Sequence, residues 1–236
     1  MKLKCTLFFL IISLNSFAQN NNYLSWEKKA AIDISLQPEY GNVVKTEEQI
    51  ESDNKFRKEI LEHYKGDTIA ASKKMNKLAF TYLYDKGDFV TAMRRFNQAN
   101  MLNSKNADAY YGFGAIYFNL GALDKAREQY EKGLVINPKH TKILTDYGTT
   151  YLGDYYQRLE TGASNANQPL ITANEFLEKS LKYDGSDSNT IYKLSIIKMY
   201  LGDCKKAKGL LKKAKKMNNP NVTEAYENEL SEKCNS

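Results

Sequence analysis

A 34-residue period constrains this chain more than any other feature. Gly87 is followed 34 residues later by Gly121, Ala92 by Ala126, and Phe96 by Tyr130. The same step carries Ala173 to Ala207, Leu177 to Leu211 and Ser180 to Ala214. A period of this length, with small residues returning on one side of a helical pattern, describes stacked pairs of helices. One such pair cannot bury its apolar face alone, so neighbouring pairs must stack to complete a core.

The stretch 107–140 shows why the residue types recur. It reads as two amphipathic helices around a turn at Asn119-Leu120-Gly121. Gly114, Ala126 and Gly133 are small, so two backbones can approach, while Tyr110, Tyr117 and Tyr130 fill the space beside them. Gly121 accepts the backbone angles that end a helix. Pro138 cannot continue the second helix.

These residues resemble the tetratricopeptide repeat (TPR) family, and the resemblance covers four copies. The copy over 73–106 keeps Gly87, Phe89, Ala92, Phe96 and Ala99, but has Phe80 at the small site and Ser104 for the proline. The copy over 107–140 departs only at Gly133, where alanine is usual. The copy over 188–221 keeps Tyr200-Leu201-Gly202, Ala207, Leu211 and Ala214, with Pro220 one place late. In the copy over 141–187, Tyr147, Gly148 and Tyr151 follow Phe113, Gly114 and Tyr117 by 34 residues, yet Ala126 to Ala173 is 47. An insertion of 13 residues therefore separates its helices, with the polar stretch 161–169 as the candidate loop. The resemblance implies an all-α, right-handed superhelical solenoid of antiparallel helix pairs, closed by a capping helix over 222–236.

The regions before the repeats have their own signals. Lys2 and Lys4, an apolar run from Leu7 to Leu14 and the ending Ser16-Phe17-Ala18 form a secretory signal peptide over 1–18, with cleavage after Ala18. The run is too short for a lasting membrane span. Export would make the protein periplasmic or secreted. Residues 19–45 look irregular, with the option of packing along the solenoid or inside its groove. Thr46-Glu47-Glu48-Gln49 has capping-box form and opens leading helices, or a degenerate repeat, over 46–72.

After cleavage two cysteines remain, Cys204 and Cys234. Each lies about fifteen residues from the turn at Asn218-Asn219-Pro220, so folding that hairpin antiparallel brings both to one end. An oxidising compartment favours joining them.

Composition excludes several functions. Loss of Lys2 and Lys4 lowers the formal charge from +6 to +4, and no nucleic-acid module is recognisable. His63 and His140 are isolated, so no metal site is expected. No phosphate loop or nucleophile elbow appears, and no cofactor or catalytic residue is nominated. The lysine run Lys205, Lys206, Lys208, Lys212, Lys213, Lys215 and Lys216 falls on the outer face of its helix, opposite Ala207, Leu211 and Ala214, and reads as a solvated face, with attraction to anionic lipid or polysaccharide as the alternative.

The family resemblance also implies where a partner would sit, because the first helix of each pair lines the concave surface. Carried over residue by residue, that surface holds Lys77, Thr81 and Tyr84 from the first copy, and Tyr111, Ala115 and Phe118 from the second. The third supplies Lys142, Thr145 and Thr149, and the fourth Tyr192, Ile196 and Met199. A subset of the family clamps C-terminal carboxylates through five polar groove residues. Here Lys77 and Lys142 match two of those places, while Thr81, Gly112 and Asp146 occupy the others. The expected function is an exported, non-enzymatic scaffold that holds a partner peptide or helix in its groove. The alternative is a carbohydrate-binding helical-repeat module of the cell envelope.

Overall fold

The computed structural model describes residues 22–163 and 165–235. The expected signal peptide lies outside the described residues. Among them the elements are helices, with short 3-10 and π turns and no strand. They separate into two compact units divided after Pro138.

The first unit holds α1 (22–32), α2 (Glu47–His63), α3 (Thr68–Phe80), α4 (Phe89–Leu102), α5 (Ala107–Asn119) and α6 (Leu123–Ile136). Side-chain caps start several of these helices. Thr46 and Gln49 form the reciprocal capping box of α2, and Asp67, Asp88 and Asn106 accept N–H donors at α3, α4 and α5. Each cap satisfies backbone donors that the helix itself leaves unpaired. The α3/α4 and α5/α6 hairpins turn through Gly87 and Gly121, at φ 64° and 79°, where a side chain would be strained.

Their packing is set by small residues beneath large rings. Phe96, Phe113 and Tyr130 are fully buried. A methyl group on Gly114 would lie 2.2 Å from Cε1 of Tyr130, and one on Gly112 would lie 2.2 Å from the Phe96 ring. Glycine at both positions is therefore a packing requirement. Phe80, standing where the next copy has Gly114, meets Phe96 edge-on at 4.9 Å and Tyr111 at 5.5 Å. Directly after that ring the helix passes into a π turn, Thr81–Asp85.

The N-terminal segment differs from the irregular chain expected. Helix α1 buries Trp26 and Ala30, one helical turn apart, and two 3-10 turns follow at Ile34–Leu36 and Pro38–Asn42. The fully buried Asn97 of α4 donates from Nδ2 to the carbonyls of Ser35 and Gln37, at 3.0 and 2.9 Å. Arg94 bonds Asp33 and Ser35, while Glu39 accepts from Tyr110 at 2.7 Å and pairs with Lys132 of α6. Glu39 and Tyr40 both adopt φ 55°, a left-handed conformation costly for non-glycine residues. The Glu39 bonds hold it in place. These partners lie on α4, α6 and the side of α5 that faces them, so the segment packs on the second-helix side.

The second unit holds α7 (Thr141–Thr161), α8 (Gln168–Tyr183), α9 (Ser188–Tyr200), α10 (Cys204–Lys216) and α11 (Glu224–Asn235). Gly148 repeats the small-under-large device: a methyl there would lie 2.3 Å from Cδ1 of Leu177. The insertion lengthens both helices of its pair, to 21 residues in α7 and 16 in α8, against 13 and 14 in α5 and α6. Gly162 ends α7 in the left-handed conformation and Pro169 sits in the first turn of α8. The added length of α7 carries Tyr155 and Tyr156 to Tyr200, at 4.9 and 5.8 Å between ring centres. Helix α11 caps the stack, burying Tyr226 and Leu230 against Met199, Ala207 and Leu211. Cys204 and Cys234 are joined by a disulfide, with Cα atoms 5.5 Å apart.

Two stability changes follow. Gly114→Ala should cost about 1–3 kcal/mol, because the buried Tyr130 ring cannot yield; a lower urea midpoint at unchanged slope would show it. Removing the disulfide by Cys204→Ala/Cys234→Ala should cost about 3–4 kcal/mol by the chain-entropy account. Hydrogen exchange should then quicken first in α11, and unchanged protection there would contradict the cap's dependence on the bond.

Candidate partner-binding site

Each unit presents a face made by the first helices of its pairs. In the first unit α3 and α5 lie side by side, joined by the Phe80 and Tyr111 rings and by a 3.3 Å hydrogen bond between the Tyr84 and Tyr111 hydroxyls. Tyr84 lies in the π turn, stacks on Phe80 with rings 4° from parallel, and remains 56% exposed. A large, rigid ring presented this way supplies contact area at low entropic cost. Lys77 of α3 is exposed, and Thr81 and Phe118 are half-buried.

In the second unit the corresponding face runs over α7, α9 and α11. Lys142 is exposed, and Asp146 pairs with Lys193 of α9 at 3.0 Å. Tyr192 and Ile196 are half-buried, and the Tyr192 ring meets Tyr226 edge-on at 5.4 Å. Tyr156 and Tyr200 continue the aromatic surface, with Tyr200 donating to Glu229 at 2.8 Å.

Comparison with known proteins fits this geometry. Residues 83–151 match the family profile described as Tetratricopeptide repeat. Over that stretch the chain carries tetratricopeptide repeats. It is 29% identical over 163 residues, 64% of its length, to a TPR repeat-containing protein of Methanocaldococcus jannaschii. It is 33% identical over 85 residues, 34% of its length, to the BBSome complex member BBS4 of Mus musculus. The chain spans only 28% and 16% of those two proteins. A solved thermophilic TPR protein of Thermus thermophilus superposes with a TM-score of 0.52 at 20% identity, covering 61% of this chain and 72% of that one. That likeness shows the TPR fold.

On the TPR frame, the groove positions expected from sequence divide into two groups. Lys77, Tyr84 and Lys142 are exposed, and Thr81, Phe118 and Tyr192 are half-buried. Tyr111, Thr145 and Met199 lie inside the stack. Thr145 is 2% exposed, with its hydroxyl bonded among those of Ser180 and Thr190, and Met199 is 3% exposed beneath α11. The carboxylate-clamp pattern is further disfavoured, because Gly112 is a packing residue under Phe96 and Asp146 is held by Lys193. Sequence reasoning missed Tyr156, Tyr200 and the Asp146–Lys193 pair. The lengthened period of the third repeat was the available signal for Tyr156, since added turns of α7 had to carry its next apolar residues. Among the described residues no helix is long and apolar enough to cross a membrane, and no cluster is arranged to hold a metal ion.

Burial sets the ionisation of Tyr156 and, on the opposite side of α5, of Tyr110. It pushes the Tyr156 phenol up to about 12, with Glu229 adding to the effect and the Tyr200 bond opposing it. It likewise pushes Tyr110 up to about 12, helped by the bond to Glu39. Burial also pushes the Glu39 carboxyl up, but Lys132 and Tyr110 outweigh it and hold the group below its ordinary value. The raised tyrosines fix the sign of an alkaline effect. Above the ordinary phenol value of 10.0 the unfolded chain loses protons that folded Tyr110 and Tyr156 keep until about 12. Stability should therefore be whole below pH 10.0 and fall through about 12. Tyr110→Phe should flatten that fall in denaturation midpoints measured against pH, and an unchanged slope would contradict the assignment.

Proposed function

We propose that this TPR protein is an exported, non-enzymatic scaffold that holds a peptide or helical segment of a partner protein against its first-helix faces. Exposed Tyr84 carries the proposal: it stands on the Phe80 ring, on a face that the N-terminal segment leaves to one side and that also carries exposed Lys77 of α3. Aromatic anchors of this kind dominate the energetics of protein recognition. Its π-turn setting adds support, since such turns recur at functional sites. The mechanism is passive, because the rings are preordered by packing and little entropy is lost on binding.

Two features support export. The first eighteen residues have signal-peptide form, and a disulfide between Cys204 and Cys234 suits an oxidising compartment. A mature protein purified from its source should begin at Gln19 by mass spectrometry; a retained Met1 in the envelope fraction would contradict cleavage.

The binding reading is tested by crosslinking capture from an envelope extract with wild type and a Lys77→Ala/Tyr84→Ala variant. Capture of a protein partner should fall at least about thirtyfold in the variant, as loss of an aromatic anchor implies. Its far-UV circular dichroism should match wild type, so that lost capture is not lost fold. Equal capture by both proteins, or saturable binding of a glycan with no protein captured, would overturn the reading.

A further inference from the structure

We propose that the outer half of α10 docks this protein onto an anionic lipid bilayer by electrostatics alone. The helix reads Cys-Lys-Lys-Ala-Lys-Gly-Leu-Leu-Lys-Lys-Ala-Lys-Lys, with seven lysines, no arginine and no acidic residue. At about 100° per residue those lysines sweep about half of the helix circumference. The other half holds Ala207, Leu211 and Ala214, all buried in the stack, while every lysine is exposed.

The form of that surface selects the partner. A thread-like polyanion engages one row of cations and rewards the bidentate fork of arginine. Here the charge is spread across a broad arc and carried only by lysine, a strongly hydrated point charge on a flexible stem. A sheet of anionic headgroups presents a plane, and basic helices of this density are attracted to it. Because the apolar half of α10 is occupied, the helix adsorbs without inserting, and binding depends steeply on salt.

The arc is also held rigid from its edges. Cys204 ties the start of α10 to Cys234, and Lys208 donates to the Cys234 carbonyl at 3.3 Å and to Asn235 at 2.7 Å. Lys213 donates to the Gly185 carbonyl, and Lys206 and Lys215 pair with Asp203 and Glu227. Lys205, Lys212 and Lys216 form the exposed centre of the arc.

The test is co-sedimentation of the full mature chain with vesicles of phosphatidylcholine alone, or of phosphatidylcholine with phosphatidylglycerol. Binding should require phosphatidylglycerol and weaken as salt rises. Lys205→Gln/Lys212→Gln/Lys216→Gln should reduce partitioning about a hundredfold, at about fivefold per lysine, without changing the melting temperature. Lys28→Gln/Lys55→Gln/Lys58→Gln, an equal charge change elsewhere, should leave most of the binding. Equal partitioning of wild type and the α10 variant would overturn the proposal. So would binding to phosphatidylcholine alone, or binding to soluble heparin with none to the anionic vesicles.

Discussion

The structure depends on close approach of helices, and close approach depends on glycine beneath a large buried side chain. Gly114 under Tyr130, Gly112 under Phe96 and Gly148 under Leu177 are one device used within both units. None of these glycines tolerates a methyl without displacing a group that is itself packed on all sides. Interiors of this density transmit strain, so the device fixes more than one helix pair. It sets where the first helices stand, and hence which of their side chains reach the surface.

The faces nominated for partner binding arise where the repeat rules are broken. Phe80 occupies a small-residue site, and the turn that follows is π-helical and carries exposed Tyr84. In the second unit the insertion lengthens α7 and brings Tyr155 and Tyr156 against Tyr200, which in turn bonds the capping helix through Glu229. Local departures from an otherwise consistent pattern are where function is expected to show. The extra residues, on this account, build an aromatic surface more than a loose loop.

Fold was legible in the sequence because its signals are periodic and redundant. The turn glycines, the small residues and the capping box at Thr46 each follow from backbone sterics or unpaired amides. The cap and the cysteine pairing were also legible, since hairpin geometry alone places Cys204 and Cys234 at one end. The N-terminal segment was not. Its 3-10 turns are anchored by Asn97, Tyr110 and Lys132, partners more than fifty residues away that no local pattern announces. Groove residues were legible only by position. Alignment nominates Thr145 and Met199 as readily as Tyr84, because the register of a helix does not say what the next element covers. Thr145 is enclosed by hydroxyl bonds to Ser180 and Thr190, and Met199 by α11.

In the proposed function the first-helix face, and not the opposite side, is the working surface. The most direct measurement places a photo-crosslinking residue at Tyr84 in one protein and at Val135 of α6 in another. Val135 is 84% exposed and apolar, so it reports any merely adhesive contact on the second-helix side. A discrete protein adduct is expected from position 84, mapped to one segment of the partner, and none from 135. An adduct from 135 with nothing from 84 would contradict it.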